Sequence, residues 1–250
     1  ALNVAELLEI TGKELITAII VAYEVSIRIG ICLRSEEERK YTLGHGTWQV
    51  FDSASVASKL LQLKNEGIQN AFGIAGANAP VPSVMKTTCG SEGPSMAKNN
   101  FGIASIAGLQ SGVLAKNGFT RPKDIFNGET VFWRMIGKKR NRLDNRLLRD
   151  IDRNFKILRV SFKLYPCCRL THSTIDTTVN YIKKNNIELD NIEKIIIKSI
   201  GPLSKFSFTN TNPRDATEGR FSIPFVLTCD LYEINTLKWY DQKNINNGRL

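Results

Sequence analysis

The apolar residues of this chain change their period once, near residue 155, and that single change limits the folds open to it. Before it they recur at helical spacing. Thr11-Gly12-Lys13-Glu14 has the spacing of a capping box, with Thr11 placed to accept from the Glu14 amide. Behind it, Ile16, Ile19, Ile20, Tyr23 and Ile27 fall on one helical face, and Gly30 offers a stop. Further helices are predicted over residues 53–63, with Val56, Leu60 and Leu63 inward, and over residues 66–75. Residues 76–94, dense in Gly, Pro, Ser and Thr, read as a long loop. A helix over 100–116 follows, with a stripe of small residues at Ala104, Gly108, Ser111 and Ala115 that lets a neighbouring helix approach closely; Gly118 ends it.

After the change, Phe155 to Phe162 alternate apolar with polar, which predicts a strand. Ser173 is placed to cap a helix carrying Ile175, Val179 and Ile182 on one face. Lys194 to Ile200 reads as a β-branched strand. Asp215 to Ile234 reads as a helix in which Pro224 forces a kink or a late start. The expected fold is mainly α with an α+β second domain: residues 1–155 all-helical, residues 156–250 α+β, the boundary between Ile151 and Val160.

Charge and cysteine usage narrow the class. The net charge is +10, and Lys138 to Arg153 alone holds seven basic and three acidic residues. No aromatic residue is interleaved there and acids interrupt it, so a solvated helix or loop is expected rather than a nucleic-acid surface. A basic binding module centred on that stretch remains the reading from another functional class. The apolar run Leu15 to Val25 is too short to span a bilayer. The five cysteines are odd in number and show no C-x-x-C spacing. With no secretory signal, a reducing cytoplasm is expected. Vicinal Cys167-Cys168 has no metal partners at ligand spacing. No Walker loop, dinucleotide fingerprint, HExxH or nucleophile elbow occurs, so neither a metal nor a cofactor is expected.

The residues that remain for chemistry are few. The chain has two histidines. His45 lies between two glycines, which let a backbone approach a ligand closely; a loop histidine is also an ordinary surface residue. His172 follows Pro166-Cys167-Cys168 and is equally suited to a helix start. Lys98 precedes the small-residue helix, where a cation adds to the positive end of the helix dipole unless an anion is bound. Lys163 ends the strand expected before Pro166. Together with Arg169 these groups would suit a di- or tricarboxylic acid, although each alone is also a solvated charge.

Several stretches, taken in order, resemble the MmgE/PrpD family, whose members include 2-methylcitrate dehydratase, cis-aconitate decarboxylase and iminodisuccinate epimerase. They are Lys13 to Ile19, Tyr23-Glu24-Val25, Arg28-Ile29-Gly30, His45-Gly46-Thr47, Ala71 to Gly76, Lys116 to Thr120, Lys163 to Cys168, His172, and Phe221 to Phe225. The resemblance implies a helical domain and a smaller α+β lid, with the active site in the cleft between them. It implies that His45, Lys98 and Lys163 are catalytic and that His172 and Arg169 hold substrate. It further implies a homodimeric, cofactor-free hydro-lyase acting on a small polycarboxylate such as 2-methylcitrate; decarboxylation and epimerisation are the alternatives within the family. Family members carry an acidic, Thr- and His-containing segment ahead of the helix matched by Lys13 to Arg28. By that comparison the chain reads as a fragment lacking both ends, inactive on its own. Arg121, where the family usually has glycine, leaves a decayed member as a further reading.

Overall fold

The computed structural model describes residues 1–33, 45–80, 94, 101–121, 124–129, 131–136, 145, 148–199 and 201–247. The chain divides into two compact units: Ala1–Ser83 with Asn99–Val160, and Val84–Lys98 with Ser161–Leu250.

The first unit is helical. After a short α1 (Leu2–Leu7), α2 runs over Gly12–Leu33. The capping box forms as read: the Glu14 amide donates to Thr11 Oγ1 at 3.3 Å, and Glu14 Oε2 accepts from the Thr11 amide at 2.9 Å. Gly30 does not stop the helix. It lies inside α2 because the indole of Trp48 lies against it, and a Cβ there would sit 2.9 Å from Trp48 Nε1. By length and composition α2 could cross a membrane. Within this unit it instead packs on α3 (Gly46–Leu60) and buries a charged pair. Helix α3 begins seven residues before the expected 53, directly at His45, and so brings Trp48, Val50 and Phe51 into the core. α4 (Asn65–Ala77) and α5 (Phe101–Lys116) complete the bundle. The small-residue stripe of α5 is buried, as its spacing predicts. Gly108 makes the closest approach: a Cβ on it would lie 2.6 Å from Ser53 Cβ and 2.8 Å from the Ala54 amide. Gly118 turns the chain at φ +86°. Phe51 then anchors an aromatic cluster with Phe72, Phe126 and Phe132 of α6 (Phe132–Met135).

One ionic network crosses this unit. Arg28 donates from Nε and Nη2 to Glu24 Oε2 at 3.0 and 2.8 Å, and from Nη1 to Asp150 Oδ1 at 2.9 Å. Lys156 Nζ holds the other Asp150 oxygen at 2.7 Å, and the Lys156 amide donates to Glu24 Oε1. The basic stretch ending at Arg153 lies largely outside the described residues. In its described part Asp150 is tied into this network rather than left solvated. The Lys156 bond and the Arg28 bond together hold the Asp150 carboxyl below the usual range.

The strand expected at Phe155–Phe162 does not form: Lys156–Arg159 is a 3-10 turn, held where Glu24 and Asp150 grip Lys156. Leu158 and Phe162, which the alternation placed inward, are 81 and 90% exposed. The expected strand at Lys194–Ile200 is irregular over its described residues, and Ile195, Ile196 and Ile197 are exposed. Among the described residues there is no strand at all, so the α+β character of the second domain is not found there. Alternation supplies a face to bury, but a strand exists only when a second segment satisfies its amides and carbonyls.

The second unit packs α7 (His172–Lys184) against α10 (Ile223–Leu231), with short α8 (Phe206–Thr209) and α9 (Ala216–Gly219) beside them and α11 (Gln242–Ile245) near the end. Ile175, Val179 and Ile182 of α7 are buried as their spacing predicts, but the helix starts one residue ahead of Ser173, with Thr171 at the N-cap position. The expected 215–234 helix is split. Asp215 caps α9, accepting from the Thr217 and Glu218 amides at 2.7 and 3.0 Å, and Ser222 caps α10, accepting from the Phe225 amide at 3.0 Å. Pro224 thus falls in the first turn of α10, where no amide is required of it. Val226, Cys229, Trp239 and Ile175 form the core, and the Trp239 indole donates to the Ile234 carbonyl at 2.8 Å.

Candidate functional site

The residues with chemical potential lie in two places, one in each unit. In the first, His45 stands at the N-terminus of α3, its ring edge-on to Trp48 at 5.2 Å and tilted against Phe101 at 6.2 Å. It borders a groove of about 570 Å³ between α2 and α3. Because α3 starts at His45, residues at steps of four, seven and eleven stand above one another. They are Gln49, Asp52 and Val56, and all line the groove. From α2 come Ile19, Tyr23, Ser26 and Ile27. The wall is therefore apolar apart from one polar line on α3 and the Tyr23 and Ser26 hydroxyls.

Asp52 is the unusual group. Burial pushes its carboxyl up from 3.8 to about 6, against hydrogen bonds from Ser53 and Ser26 that pull the other way. Its Oδ1 accepts from Ser53 Oγ at 3.0 Å. A carboxyl poised there can give or take a proton near neutrality, as general acids and bases do. Sequence reading missed it, having placed Asp52 at a helix start rather than on the second turn below His45. Spacing from His45 was the signal that could have found it.

In the second unit, Lys163, Arg169 and His172 come together around the turn that enters α7. Lys163 Nζ donates to the Cys167 carbonyl at 2.9 Å, keeping two further N–H donors. Arg169 Nη1 lies 3.1 Å from His172 Nδ1. A guanidinium only donates, so in this contact Nδ1 accepts. Nε2 is buried and has no partner among the described residues. Burial first, and the Arg169 charge next, push His172 below its ordinary 6.5, so the ring is neutral at pH 7. Tyr165 meets the ring edge-on at 5.1 Å and donates its hydroxyl to Asp176 at 2.7 Å. This cluster sets two cations beside a neutral imidazole, an arrangement suited to a carboxylate. Cys167 is a poor nucleophile: it is buried, burial raises its thiol, and its sulfur lies 3.1 Å from Thr171 Oγ1. Lys98 lies outside the described residues. Among the described residues no three of His, Cys, Asp and Glu gather as metal ligands would.

Residues 1–143 match the MmgE/PrpD N-terminal domain, and residues 165–250 match the MmgE/PrpD C-terminal domain. The chain belongs to the MmgE/PrpD family. Family members are typically lyase-like enzymes with a dehydratase-like role. No curated protein matches the chain. Within the MmgE/PrpD N-terminal match lie His45 and the α2 and α3 residues of its groove, and within the C-terminal match lie Arg169 and His172; Lys163 falls two residues before that second match begins.

Proposed function

We propose that this MmgE/PrpD protein is a cofactor-independent hydro-lyase that removes water from a small hydroxy-polycarboxylate, with 2-methylcitrate the foremost candidate. Such an elimination needs a base for an acidic C–H, an acid for the departing hydroxyl, and cations for the carboxylates and the enolate-like charge. His45 serves as the acid/base group. Lys163 and Lys98 hold carboxylates, with Arg169 and His172 in support. The observation that carries this reading is the bordering of the groove by His45 within the family's N-terminal match. The cationic turn of Lys163 and Arg169 supports the assignment of carboxylate binding to the second unit. Decarboxylation and epimerisation draw on the same groups and are outcomes of the same assay.

The test is turnover by the intact protein on 2-methylcitrate, citrate, cis-aconitate and iminodisuccinate, with and without chelator. His45→Ala should lower turnover about a hundredfold or more, the usual size of a general acid–base contribution. Lys163→Ala should weaken substrate binding as well as turnover. Full activity in His45→Ala, or loss of activity on chelation, would overturn the reading.

A further inference from the structure

The α2–α3 groove contains two hydrogen-bond acceptors that the proposed acid–base chemistry of His45 does not use. One is the Asp52 carboxyl. The neighbours that donate to it are neutral hydroxyls, Ser53 Oγ at 3.0 Å and Ser26. No lysine or arginine side chain lines the groove among the described residues. The other acceptor is Gln49 Oε1, one turn nearer His45. It is closed off from solvent and has no partner among the described residues. Leaving a buried acceptor unmatched is costly, and a ligand that supplies the donor recovers that cost.

These acceptors constrain what enters. A carboxylate placed between Asp52 and Gln49 would meet a like charge and a second acceptor, with no cationic side chain from the described lining to offset them. A hydroxyl fits. It donates to one acceptor and presents only a neutral oxygen to the other. The apolar flanks from Ile19, Ile27 and Val56 suit the carbon skeleton around it.

We propose that Gln49 and Asp52 form a hydroxyl-selecting subsite, which receives the alcohol group of the substrate and turns its carboxylates away from this wall. Asp52 is then a specificity-determining residue of this chain. The inference rests on the reading of His45's groove as a hydroxy-acid site, and the test separates the two.

The probes are citrate and tricarballylate, which share three carboxylates and differ by one hydroxyl. Binding of each to the intact protein is measured by calorimetry. The wild type should prefer citrate by about tenfold or more, because a site built to bond a hydroxyl rejects the analogue lacking it. At least one of Asp52→Leu and Gln49→Leu, the one that removes the acceptor of the hydroxyl proton, should bring the two ligands close to parity, mainly by weakening citrate and leaving tricarballylate bound as well as before. Two variants guard against one failing to fold, which far-ultraviolet circular dichroism would reveal. Equal wild-type affinity for both ligands, or a preference that survives both substitutions, overturns the subsite and leaves the polycarboxylate reading standing. Binding of neither ligand overturns both.

Discussion

At the scale of single residues, two buried titratable groups give the chain opposite responses to pH. Asp52 is raised from 3.8 to about 6. Its folded carboxyl holds a proton that the unfolded chain has already released, so its contribution is fully present below pH 3.8 and is lost as pH rises through about 6. At pH 7.5 the ionised group costs the fold about 3 kcal/mol, at 1.36 kcal/mol for each factor of ten in proton affinity. Asp52→Asn should therefore raise the denaturant midpoint at pH 7.5, and the gain should shrink towards pH 4. No gain at pH 7.5 would mean that the carboxyl is solvated. His172 works the other way. Its folded affinity for a proton is depressed, so stability is present above 6.5 and falls as pH drops below it. His172→Gln should flatten that part of the acid limb while leaving the neutral-pH midpoint within about 1–2 kcal/mol of wild type, since one hydrogen bond is at stake. The sequence made His45, Arg169 and His172 visible because histidines are scarce here and the flanking stretches resemble a family. Asp52 and Gln49 were hidden because their significance depends on where α3 begins. That boundary lay seven residues from its expected place, and a helix start is weakly marked when no side chain caps it.

At the scale of elements, packing periodicity was legible and pairing was not. The faces of α2, α5 and α7 follow from 3.6-residue spacing, a property local to each segment. The stripe on α5 is the plainest case, and Gly108 is its tightest point. Gly108→Val should lose about 3 kcal/mol or more, because its branches would strike the α3 backbone near Ala54 and no flexible side chain can yield there. Chemical unfolding would measure it, and a loss under about 1 kcal/mol would show that the two helices can separate cheaply. Caps were partly legible: Thr11 closes its box as read, whereas Ser173 does not cap α7. Asp215 and Ser222, which the sequence reading ran into one helix, cap two, so Ser222→Ala should cost about 1–2 kcal/mol, seen as a lower midpoint with an unchanged slope. The two expected strands failed for a reason that no single segment reveals. Alternation at 155–162 and 194–200 identifies residues that could line a sheet, whereas a ladder also requires a distant edge with open amides and carbonyls. At Lys156 the Glu24 carboxylate takes the backbone amide instead, and Asp150 holds the side-chain ammonium.

At the scale of the whole molecule, two separate cores stand behind the two family matches, one around Phe51 and one around Trp239. Arg28, at 3% exposure, joins α2 to the stretch that closes the first unit. Arg28→Met removes the cation paired with Glu24 and strands that carboxylate in the interior, while Asp150 keeps Lys156. Breaking a buried pair from one side costs about 3–5 kcal/mol. Hydrogen exchange should then quicken in α2 and α3 ahead of α7 and α10; a simultaneous rise in all four would mean that the molecule opens as one body. The same network has a consequence for how the chain is made. Glu24 and Arg28 leave the ribosome long before their partners, since Lys156 is 132 residues later and Asp150 is 122 residues later. At the usual 5–20 residues per second that interval is on the order of ten seconds. Throughout it α2 is a nascent, apolar, 22-residue segment whose Glu24–Arg28 pair still awaits Lys156 and Asp150. To the cell's sorting and holding machinery it presents the face of a membrane span. Packing on α3 begins to end that ambiguity, and Asp150 with Lys156 completes the change.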